Sequence, residues 1–217
     1  VALAGLLGRL PAGDAHVLVA IGKVARAVAR PDARVTAAVR RYLRGQGPQL
    51  TTEAALAAGA LMDRDAIPPL IDLLETGEPT VAAAALRSLE GMSSQPVGRS
   101  PERWRNWYSA ERSWWRTEAP QDFLLVRGGA PADASRVILE LSKHRLWRHE
   151  LVEPLAAGLD REEIELAALT CAALGHLGSP LAVEPLIRAL ERPELDVQQA
   201  AWRALRRVTG LELGATP

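Results

Sequence analysis

The chain is predicted to be all-α: an α-solenoid of stacked antiparallel helical hairpins, with a Trp-rich helix and an irregular loop inserted in the middle. Three observations predict this. First, residues 66–101 and 182–217 align without a gap at an offset of 116, with about two positions in five identical. The shared residues are apolar and helically spaced (Leu70 with Leu186, Leu74 with Leu190, Val81 with Val197, Ala85 with Ala201, Leu89 with Leu205), and Gly98 with Gly214 and Pro101 with Pro217 follow. Second, a shorter period lies inside the long one: VEPLAAGLD at 152–160 recurs as VEPLIRALE at 183–191, an offset of 31. A unit of that length holds two short helices that cannot bury their apolar stripes alone, so neighbours must stack. Third, Ala and Leu dominate while Phe occurs once and Tyr twice, which suits thin, closely layered helices.

The elements follow from caps and periodicity. Asp14 precedes a helix over 15–29 with Val17, Ile21, Val24 and Val28 on one face; Arg30-Pro31-Asp32 ends it and opens the next, to about 44. Gly45, Gly47 and Pro48 break the chain, and Thr51-Thr52-Glu53 starts a helix to Met62. Helices over 66–76 and 79–91 form the first clear hairpin, with Pro68 and Pro69 in a first turn where a missing amide hydrogen costs little. Residues 100–118 read as one helix with Ser100 as cap. Trp104, Trp107, Tyr108, Trp114 and Trp115 share about a third of its circumference, and Arg105, Arg112 and Arg116 flank them. Residues 119–132, with Pro and a Gly pair around a short apolar run, read as an irregular loop or brief extended segment. Helices resume over 133–146, 149–159, 162–177, 181–191 and 195–209. One domain over 1–217 is expected: N-terminal hairpins at 1–98, the insertion at 99–132 and C-terminal hairpins at 133–217.

With 217 residues and 48% hydrophobic content, the chain can bury a sizeable core. No apolar run is long enough to cross a bilayer, so membrane insertion is not expected. The compartment is not legible, with the cytoplasm favoured. Net charge is zero, but successive blocks (1–50, 51–98, 99–148, 149–217) carry +6, −5, +4 and −5. In a solenoid these become alternating bands, and no single long basic surface for nucleic acid results. The Arg-rich, Lys-poor bias suggests a GC-rich bacterial genome. A start without Met, and Pro217 standing where Pro101 leads into the tryptophan helix, suggest a piece of a larger protein whose terminal hairpin exposes an apolar face for a second such helix, a partner or self-association.

The units AVEPLIRALERPELDVQQAAWRALRRVTG and LVEPLAAGLDREEIELAALTCAALGHLG resemble HEAT repeats of the short bacterial, phycobilisome-lyase-like type. Their signature is a first helix reading A-V-x-P-L-I-x-x-L and an Ala- and Leu-rich second helix ended by Gly. The likeness covers 51–98 and 149–214, and is weaker over 1–50. A tetratricopeptide array lacks its W-L-G-Y pattern here, and an ankyrin array its T-P-L-H. The resemblance implies an armadillo-like superhelix used for binding, with second helices lining the concave side.

Each residue with chemical potential has a structural reading beside the functional one. Trp104, Trp107, Trp114 and Trp115 are candidate partner contacts, because Trp and Arg are enriched at binding hot spots, but a helix interrupting a solenoid also needs large aromatics to cover its neighbours. Glu111 sits in the aromatic stripe and needs Arg or indole N–H partners if buried. His144 and His149 with Glu140, Glu150 and Glu153 lack a metal-site pattern, and the single His149-Glu150 pair cannot build the iron site of HEAT-repeat hydroxylases. Cys171 has no activating partner by spacing and reads as an inert thiol. Glu162, Glu163 and Glu165 follow Asp160 at a helix start, where they complement the dipole. Gly128-Gly129 reads as a turn. On the last helix Val197, Ala200, Ala201, Ala204, Leu205 and Val208 form the buried arc, leaving Gln199, Trp202, Arg203, Arg206 and Arg207 toward a partner, with Arg87 in the register of Arg203.

The expectation is a non-catalytic module or scaffold that binds another protein or peptide on its concave face, without metal or cofactor. The alternative is a HEAT-like enzyme or nucleic-acid binder, resembling bilin lyases or the HEAT-like group that excises alkylated bases with Trp, Asp and Arg. Burial of the indoles discriminates the two.

Overall fold

Twelve α-helices and four short 3-10 turns, with no strand, make up the described residues of the computed structural model, which are 14–25, 28 and 31–211. Contacts divide the chain into two compact units, Val1–Ala110 and Glu111–Pro217. The boundary falls inside one helix.

In the first unit the helices are α1 (Ala15–Ala25), α2 (Ala33–Arg41), α3 (Pro48–Ala60), α4 (Ile67–Thr76) and α5 (Pro79–Ser93), followed by the start of α6 (Pro101–Thr117). The far end of the helix expected over 15–29 lies partly outside the described residues. Asp32 caps α2 by accepting the Arg34 amide at 2.8 Å. Helix α3 starts at Pro48, three residues before the expected Thr51, because a proline pre-sets the dihedral of a first helical position and Gly47 supplies the cap. The alternate helices α1, α3 and α5 pack side by side, and α4 closes a hairpin with α5. Helices α3 and α5 touch at small residues. A Cβ on Gly59 would lie 2.6 Å from that of Ser88, whose hydroxyl donates to the Ala55 carbonyl at 2.9 Å. Asp63 caps the 3-10 turn Arg64–Ala66 and pairs with Arg40 at 3.0 Å. Burial pushes its carboxyl up, against the opposing pull of Arg40.

The second unit holds the end of α6, then α7 (Ala119–Gly128), α8 (Pro131–Leu141), α9 (Val152–Ala156), α10 (Ile164–Leu177), α11 (Val183–Ala189) and α12 (Leu195–Thr209). The segment 119–132 is not a loop. Its helix-breaking residues sit where a helix tolerates them, Pro120 in the first turn and Gly129 at the C-cap, and α7 forms a hairpin with α8. The expected helix over 133–146 ends at Leu141 and yields to a 3-10 turn, Arg145–Trp147. Three hairpins thus stack through their second helices, α8 on α10 and α10 on α12. Val126, Ile138, Leu141, Leu155, Leu166, Leu174, Leu186 and Leu205 run through one continuous core. Full burial of a side chain of this kind contributes about 1.5–3 kcal/mol. The matches of Gly98 with Gly214 and of Pro101 with Pro217 end on residues outside those described.

An arginine clasp recurs at the 31-residue period. Arg161 grips Glu163 through Nε and Nη2 at 3.0 and 2.8 Å, while its Nη1 donates to the Val126 and Gly129 carbonyls at 3.4 and 3.1 Å. Arg192 repeats this with Glu194 (3.0 and 3.1 Å) and with the Leu159 and Arg161 carbonyls. Each guanidinium therefore caps the carbonyl end of the preceding hairpin's first helix and holds the acid at the start of its own second helix. Hydrogen bonds from Arg161 keep the Glu163 carboxyl low, at about 2.

Candidate functional site

Helix α12 carries the exposed candidates. Val197, Ala200, Ala201, Ala204 and Leu205 are buried, as the periodicity requires, and Val208 is half-buried. The opposite side presents Arg203, Arg206 and Arg207 to solvent, with Gln199 and Trp202 half-buried at the edge. The Arg206 guanidinium lies over the Trp202 indole, 4.7 Å from the ring centroid. Such a stack holds a flexible side chain in place without neutralising it. Among the described residues no carboxylate lies within ion-pair distance of the three arginines. In the first unit Arg87 is exposed on α5.

The tryptophans of α6 are mostly structural. Trp104 has no exposed surface; its indole N–H donates to the Gly98 carbonyl at 2.7 Å, and Trp107 meets it edge-on at 5.5 Å. Tyr108 donates to the Arg64 carbonyl at 3.2 Å, and Arg105 grips Glu75 with two bonds of 3.0 and 2.9 Å. In the second unit Trp114 is 8% exposed and stacks on His144 with centroids 3.4 Å apart. Trp115 stacks on Trp147 at 4.3 Å and meets Phe123 edge-on. Trp104 and Trp114 therefore present no face to a partner, which corrects their reading as contact residues. Trp107 and Trp115 are half-buried within aromatic pairs.

Glu111 is 7% exposed, and the partner that satisfies it is neither an arginine nor an indole. The Nδ1 of His144 lies 3.0 and 3.2 Å from its two carboxylate oxygens. Trp114 closes over the imidazole, and the carboxyl of Asp122 is pushed up chiefly by burial. His144 stands 33 residues from Glu111, so no local pattern announces the pair.

The remaining candidates are dispersed. His149 Nδ1 meets the buried Ser179 hydroxyl at 2.8 Å, so the two histidines face different partners. Among the described residues no three His, Cys, Asp or Glu side chains converge as a metal site. Cys171 is fully buried in α10, and burial pushes its thiol up to about 12. An open cleft of about 340 Å³ beside α9 and α11 is lined by both signs of charge (Arg127, Arg188 and Arg192 with Glu153 and Asp160) and includes neither Glu111 nor an indole. The clasp residues Arg161 and Arg192 were missed as such in the sequence. The signal was present: an R-x-E at 161–163 recurs at 192–194.

Comparison with known proteins adds the following. The family model of HEAT repeats matches residues 152–215, the span of α9 to α12. No curated protein matches the chain. Solved structures similar to it include an engineered protein (16% identity, TM-score 0.37, 96% of each chain covered). Others are a computationally designed armadillo repeat protein for modular peptide recognition (13% identity, TM-score 0.36, 94% of this chain and 99% of that one) and human deoxyhypusine hydroxylase in complex with glycerol (18% identity, TM-score 0.29, 90% of each).

Proposed function

We propose that the protein, whose residues 152–215 match the family model of HEAT repeats, is a non-catalytic interaction module whose α12 face docks an acidic segment of a partner protein. The observation that carries this reading is the exposed arginine trio of α12, with Arg206 fixed over Trp202 and, among the described residues, no carboxylate paired to any of the three. An aromatic ring beside unpaired guanidinium groups matches the composition of binding hot spots, and arginine forks suit carboxylates. Electrostatic complementarity of this kind sets on-rate and specificity. Gln199 supplies a polar group at the edge, and Arg87 offers the same charge in the same register of the first unit.

The groups that could do chemistry are engaged elsewhere. Glu111 is closed by His144 and Trp114, Cys171 is sealed, and of the indoles that an alkylated-base cleft would need at its surface Trp104 and Trp114 are packed inward. Selection of a random peptide library on the intact protein tests the proposal. Enrichment of acidic peptides that lose binding on Arg203→Glu/Arg206→Glu is expected; enrichment of neutral or basic peptides, or binding indifferent to the reversal, contradicts it.

A further inference from the structure

The turn between α8 and α9 carries two arginines without counter-charge among the described residues. Arg145 begins the 3-10 turn and Arg148 caps it, with the Arg148 amide donating to the Arg145 carbonyl at 3.1 Å. In a 3-10 turn side chains three apart eclipse, so the two arginine side chains leave the turn on one side, and the Arg145 charge is felt at Arg148. Buried Leu146 and Leu151 anchor the segment. Both arginines are half-buried, and among the described residues neither has a carboxylate in ion-pair reach. The nearby acids are committed: Glu111 to His144 and Glu140 to Lys143 at 2.6 Å.

The donors are specifically disposed. Arg145 Nε is sealed from solvent with no acceptor, and an arm of the same guanidinium lies 3.9 Å from where a Cβ on Gly178 would stand, at the C-terminal end of α10. The negative end of that helix dipole offsets part of the Arg145 charge, and does so for about one turn only. Arg148 Nε donates to His149 Nε2 at 3.3 Å, which makes that nitrogen the acceptor and gives the ring hydrogen to Nδ1, facing Ser179 Oγ at 2.8 Å. Ser179 is itself buried and accepts the Leu181 amide. The chain Leu181, Ser179, His149, Arg148 therefore positions the Arg148 guanidinium through Nε, and among the described residues its two Nη groups hold no hydrogen bond. Burial and, for Arg148, the neighbouring Arg145 charge both lower the affinity of these groups for their protons. Two partly desolvated like charges side by side are costly unless an anion joins them, and paired guanidinium forks match a tetrahedral oxyanion.

We propose that Arg145 and Arg148 form a binding site for a phosphate group, held in place by His149 and Ser179. The group belongs either to free phosphate or to a phosphorylated side chain, and the chemistry is shared. The test titrates the intact protein with inorganic phosphate, and in parallel with O-phosphoserine, against chloride at matched ionic strength. Calorimetry is read together with the ¹⁵N shift of the Arg145 and Arg148 Nε–H resonances. Saturable binding that shifts these two resonances is expected, with affinity weakened about tenfold or more in Arg148→Gln and in Arg145→Gln, but kept in Arg116→Gln on exposed α6 surface. Arg148→Lys, which keeps the charge and loses the fork, is expected to weaken binding as well, and serves if the glutamine variants fail to fold. Tighter binding of O-phosphoserine assigns the site to a phosphorylated side chain; equal affinity assigns it to free phosphate. Absence of saturable binding, or binding unchanged in the Arg145 and Arg148 variants, overturns the proposal.

Discussion

A Cβ added to Gly175 would stand 2.8 Å from the Cα of Ala204, so α10 and α12 meet backbone to backbone at this point. Gly59 and Ser88 repeat the contact in the first unit, each exactly as far along as the offset of 116 requires, since 59 maps to 175 and 88 to 204. The long repeat therefore preserves a crossing geometry as well as apolar positions. Gly175→Ala is expected to destabilise the protein by about 1–3 kcal/mol, because the obstructing atoms belong to a helix backbone and cannot rotate away. Urea denaturation measures it; a stability equal to wild type shows that the crossing has slack.

The clasp acid Glu163 ties stability to pH. Its folded pKa, about 2, lies below its ordinary value of 4.5, so its contribution is complete above the ordinary value and drains as pH falls through the folded one. The gap in Tm between wild type and Glu163→Gln is expected to narrow from about pH 5 to about pH 2. A gap that stays constant over this window contradicts the bidentate grip of Arg161.

Trp114 and Trp202 separate packing from binding. Trp114→Ala removes a core ring stacked on His144 and is expected to cost about 3–5 kcal/mol. Trp202→Ala, at the edge of α12, is expected to cost less than about 1 kcal/mol while weakening capture of acidic peptides. Equal losses of stability from both would place Trp202 in the core.

His144→Ala deprives the nearly buried Glu111 carboxylate of its donor, and a loss of about 1–3 kcal/mol or more is expected in denaturant melts. The double variant Glu111→Gln/His144→Ala is expected to recover part of it, since a neutral amide tolerates burial better. No recovery would mean that His144 acts mainly through its stack with Trp114.

Much of the fold was legible because repeats write the same physics more than once. The apolar register of α4, α5, α11 and α12 could be read at the offset of 116, that of α9 and α11 again at 31, and the buried arc of α12 followed from periodicity alone. Helix α7 escaped because Pro120 and Gly129 look like breakers until their positions within the helix are known. The early start at Pro48 has the same origin. The partnership of Glu111 with His144, and the use of Arg161 and Arg192 as inter-hairpin caps, are contacts over more than thirty residues that only stacking creates. The sequence placed Trp104 and Trp114 on an amphipathic stripe correctly, but a stripe does not say whether it is covered.

The affinity of an acidic peptide, taken from the library selection, for wild type and for Arg203→Glu/Arg206→Glu/Arg207→Glu tests the central claim most directly. These positions are exposed, so the helical signal of the variant should match wild type. The α12 reading predicts a loss of affinity on the order of tenfold or more, shrinking as salt is raised. Undiminished affinity in a folded variant would contradict it.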